Sequence, residues 1–149
     1  MRTYISGSSG FVGTHLSKRL DNFTPIPHEE ISTIKLEPFD TFYFLSSYGN
    51  LSTQTDEDMI FKANIEDLIT ILKQIRNIDF KSFVFISSSS VMLRNQTTYS
   101  RAKKAAEEIL LAFMESHNKP ICIIRPFSVT GVGEQAEHLI PTVIDSSFK

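Results

Sequence analysis

The sequence is poor in several things, and each shortage removes a class of protein. It holds one cysteine, Cys122, in 149 residues, which excludes a disulfide framework and a cysteine-rich zinc site. It has no apolar run near the roughly 18 residues that would span a bilayer, so no membrane is expected among its partners. The opening MRTYISGSSGFVG lacks a long hydrophobic stretch with a cleavage site, so it does not read as a signal peptide. The expected location is cytoplasmic. Charge of one sign is not in excess: 15 Lys and Arg stand against 17 Asp and Glu. That leaves no basic footprint for nucleic acid. The histidines His15, His28, His117 and His138 are scattered without ligand spacing, and no metal is expected. What is present is 41% hydrophobic and 21% charged. This is the balance of a globular chain long enough for a core of its own, and residues 1–149 read as a single domain.

Apolar runs and punctuation divide the chain. Thr3–Ser6 is a short β-prone run that ends on Gly7, and Thr14–Leu20 has helical spacing. Thr24–Pro27 reads as a proline-marked edge strand. Ile31–Leu36 fits no period. Pro38 and Asp40 punctuate before Thr41–Ser46, a buried-strand run. Asp56–Asn77 is the longest helical pattern, with Met59, Ile60, Ala63, Leu68, Ile69, Leu72 and Ile75 recurring at threes and fours. Lys81–Ile86 is a second continuous apolar strand and runs into four serines, Ser87–Ser90. Thr98–His117 reads as helix, Pro120–Arg125 as a third buried strand and Leu139–Ser147 as a last helix. Apolar strands separated by helices predict a parallel sheet in an α/β fold, Rossmann-like and doubly wound, in three α/β/α layers. The long helices are apolar enough to spare a face for a second copy, so a homodimer is compatible with the pattern.

Gly7, Ser9, Gly10, Phe11, Val12 and Gly13 lie in the turn between the first strand and the first helix. Glycines three apart in that context suit a dinucleotide. Gly7 permits the tight turn, Gly10 lets the backbone approach a pyrophosphate, and Gly13 lets the helix lie close to the strand. An acidic residue that holds the adenosine ribose is expected about twenty residues on. His28, Glu29 and Glu30 occupy that zone, and Glu29 is the candidate. No arginine stands there for a 2′-phosphate, which favours NAD over NADP without excluding the latter. Tyr99 and Lys103 are four apart near a helix start, on one face. A phenol titrates near pH 10. A neighbouring ammonium lowers that value and equips Tyr99 to exchange a proton with a substrate oxygen.

The segments YISGSSGFVGTHL, FYFLSS, KANIEDL, FVFISSSSV, YSRAKKAAE and IIRPFSVTGVG come in that order and cover most of the chain. In them the sequence resembles the extended short-chain dehydrogenase/reductase family, the NAD-dependent epimerases and dehydratases. The resemblance implies Tyr99 as catalytic acid/base, Lys103 as its partner and cofactor ribose ligand, and Ser89 as the residue that binds the reacting oxygen. Ser88 is the alternative within the serine run. It implies Asn64 beside the cofactor, Leu45, Ser46 and Ser47 along it, and Phe127 with Ser128 and Val129 closing over the nicotinamide. It further implies NAD(P)-dependent epimerase, dehydratase or reductase chemistry on a nucleotide-linked sugar. The alternatives are a non-catalytic dinucleotide-binding module and an inactive fragment of a longer epimerase.

The sequence departs from the family in three places. Ser89 and Tyr99 are only ten positions apart, so a substrate-facing loop is trimmed. The segment after the first helix is short at the adenosine end. The chain stops where the family continues, so the C-terminal substrate-binding part is expected to be largely absent. The remaining candidates read as structural. Cys122 is expected in the core, and Lys104, Glu107 and Glu108 as charge pairs on a helix surface.

Overall fold

The computed structural model describes residues 2–147. Five strands form one parallel sheet: β1 (Thr3–Ser6), β2 (Thr24–Ile26), β3 (Phe39–Phe44), β4 (Phe80–Ile86) and β5 (Ile121–Ile124). Their spatial order is β2-β1-β3-β4-β5. The helices are α1 (Phe11–Ser17), α2 (Glu57–Phe61), α3 (Asp67–Ile75), α4 (Thr98–His117) and α5 (Leu139–Ser147). From β1 the chain first steps outward to β2, then returns past β1 to β3 and continues the other way. Right-handed crossovers place connections that run in opposite directions on opposite faces of a sheet. The connection through α1 therefore lies opposite those through α2–α3 and α4, giving three layers. The crevice between β1 and β3 is the topological switch point. Among the described residues no helix is long and apolar enough to cross a membrane.

The register explains the core. Phe42 pairs with Phe83 and Phe44 with Phe85, so four phenylalanines point to one face. Each has no exposed surface, and Leu68, Ile71, Ile75, Ala106 and Leu110 from α3 and α4 pack over them. The opposite face carries Ile5, Tyr43, Val84, Cys122 and Ile124 in lateral register and is less well covered toward β5. There the expectation of a buried strand fails. β5 alternates half-buried and exposed residues, Cys122 is exposed, and Ile124 is 43% exposed. β5 has β4 as its one strand neighbour, so its apolar run alone does not bury it.

Other boundaries also move. The first helix starts at Phe11 rather than Thr14, directly after the glycine turn, and ends at Ser17. β3 spans Phe39–Phe44, not Thr41–Ser46. Asp40 belongs to the strand because its carboxylate accepts the Arg2 N–H at 2.7 Å instead of breaking the chain's course. The long helix begins as expected, with Asp56 capping the Met59 N–H at 3.1 Å. It is then interrupted by a π turn at Lys62–Glu66. The cause is local: the Asn64 side chain donates to the Ile60 carbonyl at 2.8 Å, the acceptor its own N–H would use in an α-helix. α4 matches its predicted span, capped by the Thr97 hydroxyl and ended by Asn118 at φ 49°.

Candidate functional site

A cavity of about 660 Å³ opens at the carboxyl ends of β1, β3 and β4, where open α/β sheets place their ligands. One wall is the glycine turn, with Gly7, Gly10, Phe11, Val12 and Gly13. Two of its glycines are fixed by the fold. Gly7 has φ +74°, and a Cβ there would lie 2.7 Å from the Ser46 nitrogen. A Cβ on Gly13 would lie 2.1 Å from the Gly7 oxygen and 2.7 Å from Ser8 Cα. Gly10 differs: its Cβ would meet the Gly7 oxygen at an ordinary 3.4 Å and nothing else. The fold tolerates a side chain at Gly10, but a ligand against the turn would not. α1 has no side-chain cap and no acidic residue in its first turn, which leaves its leading N–H groups for an anionic partner.

The facing wall comes from β4 and α4. Tyr99 and Lys103 share one face of α4 and line the cavity with Ile86, Ser87 and Ser88. Burial pushes the Tyr99 phenol above its usual value, while hydrogen bonds from Ser47 and Ser88 work in the opposite direction. The expected lowering by Lys103 is not the governing effect here. Lys103 is fully buried; its Nζ donates to the Ile86 carbonyl at 2.9 Å and stands 4.8 Å from the Phe85 ring centroid. Burial draws its pKa down to about 7, with Glu107 opposing the fall.

Of the serine run, Ser87, Ser88 and Ser90 line the cavity and Ser89 does not. Ser88 caps the 3₁₀ turn Ser89–Met92, bonds Ser90 at 2.9 Å and reaches Tyr99. The Ser89 backbone N–H donates to the Pro126 carbonyl at 3.0 Å. Of the other residues expected here, Leu45, Ser47 and Phe127 line the cavity, and Phe127 is 80% exposed. Asn64 does not line it. Fully buried, it accepts from the Ser47 hydroxyl at 3.1 Å and donates to the Tyr48 carbonyl at 2.8 Å. It thus holds the segment after β3 in place. Ser46 is buried behind the glycine turn, and Ser9 is exposed with its carbonyl toward Thr14. Glu29 stands exposed on the 3₁₀ turn His28–Glu30 after β2, outside the cavity wall.

Sequence reasoning missed two supports. Gln54 accepts the N–H groups of Gly49 and Leu51 at 3.0 and 3.3 Å, closing the loop at the cavity mouth. Gly49, at φ +104° and tight against Ile60, was the visible signal for that loop. Glu107 is 3% exposed and belongs to the interior, not to the helix surface. His15 contacts the Val132 carbonyl at 2.8 Å and tethers the segment after β5 to the glycine turn.

A parallel, doubly wound sheet with a glycine turn facing a Tyr-Lys helix across its switch point defines a Rossmann-like α/β fold. A profile of the NAD dependent epimerase/dehydratase family matches residues 33–147, and the chain belongs to that family. Comparison with curated protein sequences finds no match. Among solved structures, the dTDP-glucose 4,6-dehydratase DesIV from Streptomyces venezuelae, with NAD and TYD bound, is similar with a TM-score of 0.84 at 13% identity. The UDP-glucuronic acid 4-epimerase from Bacillus cereus, in complex with NAD, has a TM-score of 0.79 at 17% identity. RMD from Pseudomonas aeruginosa, complexed with NADPH, has a TM-score of 0.80 at 20% identity. At these identities the likeness is one of fold. The chain is covered to 99, 99 and 98%, yet it spans only 62, 62 and 61% of those proteins' lengths.

Proposed function

We propose that the chain is the dinucleotide-binding part of an NAD(P)-dependent epimerase, dehydratase or reductase that acts on a nucleotide-linked sugar. The observation that carries this reading is the convergence of Tyr99, Ser47, Ser88 and Lys103 on a cavity whose other wall is a glycine turn. The room left at Gly10 and the uncapped first turn of α1 fit a pyrophosphate. A nicotinamide dinucleotide supplies the hydride chemistry when bound. The chain's own residues do the rest. Tyr99 Oη gives a proton to, or takes one from, a substrate carbonyl or hydroxyl oxygen. Ser88 holds that oxygen by a hydrogen bond and at the same time orients the phenol. Ser47 orients the phenol from the other side, and Asn64 holds Ser47. Lys103 contributes a cation beside the phenol and a donor on the cavity wall for the cofactor ribose. Leu45 and the glycine turn wall off the cofactor path, and Phe127 covers its open side. NAD is favoured over NADP, which is not excluded, because the turn after β2 carries Glu29 and Glu30 and no arginine.

The deciding experiment is a fluorescence titration of the purified chain with NADH and, separately, NADPH. Saturation with NADH at lower concentration supports the reading, and a screen of nucleotide sugars for turnover then follows. No saturation with either removes it. A second reading is a dinucleotide-binding module without catalysis, favoured by the burial that pushes the Tyr99 phenol above its usual value. Equal NADH binding by the native chain and Tyr99→Phe, with no turnover of any nucleotide sugar by either, selects that second reading.

A further inference from the structure

α4 buries a second charge that the cavity wall does not use. Glu107 lies one turn beyond Lys103, on the same face of the helix. Arg125, immediately after β5, grips its carboxylate with Nε at 2.9 Å and Nη2 at 2.6 Å. The pair is lopsided: the Glu107 side chain is 3% exposed, the Arg125 side chain 46%. Water screens the half-exposed guanidinium more than the buried carboxylate, which leaves the carboxylate the less shielded charge on the inner side. Lys103 sits in the field of that carboxylate. From β4 it meets a carbonyl, Ile86, and a ring, Phe85, neither of which titrates. The buried residues of the π turn, Ala63 and Asn64, and Val91 of the 3₁₀ turn carry no charge. On its own helix it has the phenol of Tyr99, neutral at pH 7, and Glu107. Among the described residues Glu107 is the one charged group that acts on Lys103.

We propose that Glu107, clamped by Arg125, is a positioning residue that keeps Lys103 a cation at the cavity wall. The inference rests on the reading of Lys103 as the partner of Tyr99, and it deepens that reading. The Glu107 carboxylate lies in the interior by its own burial, one turn from Lys103, and the Arg125 guanidinium meets it from the solvent side. The Arg125 grip ties the end of β5 to α4. The half-charged state of Lys103 near pH 7 is consistent with a burial penalty that is only partly offset.

The test follows the side-chain carbon resonances of lysine, labelled at Cε, across a pH titration of the full ligand-free chain. The Lys103 signal is identified by its loss in Lys103→Arg. Glu107→Gln removes the negative charge and should move the Lys103 midpoint down by about half a unit or more. Its charged fraction at pH 7 then falls about twofold. Arg125→Gln breaks the same tie but leaves the carboxylate, and should leave the midpoint unchanged or raise it. A merely structural tie would move the midpoint alike in both variants. Equal downward shifts, or no shift in Glu107→Gln, overturn the proposal. Should Glu107→Gln fail to fold, Arg125→Gln decides alone, a downward shift overturning the proposal and an unchanged or raised midpoint supporting it. The titration needs no dinucleotide, so its failure is distinct from failure of the cofactor reading, which the NADH titration decides.

Discussion

Gly10→Ala and Gly13→Ala separate what the glycine turn does for the fold from what it does for a ligand. At Gly13 the new methyl would lie 2.1 Å from the Gly7 oxygen and 2.7 Å from Ser8 Cα. Both obstacles are backbone, so no rotamer change relieves the contact, and α1 must shift away from β1. Overpacking of this kind costs roughly 1–3 kcal/mol, and a backbone obstacle puts it at the upper end. For a chain of this length about 3 kcal/mol corresponds to a fall in Tm of about 10 °C. At Gly10 the methyl would meet one oxygen at 3.4 Å, with φ −72° already suited to alanine. Stability should therefore stay within about 1 kcal/mol of the native chain. A pyrophosphate lying on the turn would meet that methyl, and NADH affinity should fall at least about tenfold, or about 1.4 kcal/mol. Urea unfolding followed by circular dichroism reads the first quantity, and nicotinamide fluorescence the second. A native midpoint for Gly13→Ala would refute the packing argument. Undiminished NADH affinity in Gly10→Ala would refute the placement of the dinucleotide.

Three further outcomes follow from the same geometry. Tyr99→Phe should keep NADH affinity within about twofold and lower turnover by about 100-fold or more; turnover near the native rate would remove Tyr99 from the chemistry. Lys103 is held near 7 when folded and titrates near 10.5 when unfolded, so between those values the unfolded chain carries the extra proton and stability rises with pH. Lys103→Met should therefore be more stable than the native chain at pH 7 by on the order of a few kcal/mol, a gap that closes toward pH 10. A gap in the urea midpoint that does not vary with pH would refute this. Asn64→Ala breaks bonds to Ser47, Tyr48 and Ile60. It should cost about 2–3 kcal/mol and weaken NADH binding as the Ser47 segment loosens; a loss below about 0.5 kcal/mol in urea unfolding would show that those bonds are replaced.

The parts of the molecule governed by near neighbours in the chain were legible without coordinates. The glycine spacing placed the turn, and the α4 span Thr98–His117 was readable from its helical apolar spacing. The continuous apolar runs of β3 and β4, separated by helical patterns, pointed to a parallel sheet with helices over it, and Phe42, Phe44, Phe83 and Phe85 are the residues so covered. The four-residue spacing put Tyr99 and Lys103 on one face, and the cavity lies beside that face.

What the chain by itself left open depends on contacts between distant segments. Four consecutive serines look alike in the sequence. The 3₁₀ turn after β4 decides that Ser87, Ser88 and Ser90 line the cavity while Ser89 does not. An apolar run such as that of β5 promises burial, but burial is granted by neighbouring elements, and β5 has one strand beside it. Glu107 reads as a surface charge at its helix spacing until Arg125, 18 residues later, closes over it. Local rules act over one turn of helix or one step of strand, so the sequence determines elements and the pairs within them. Protonation, exposure and the choice among like residues are set by what the fold brings within a few ångströms, and only the tertiary structure decides that.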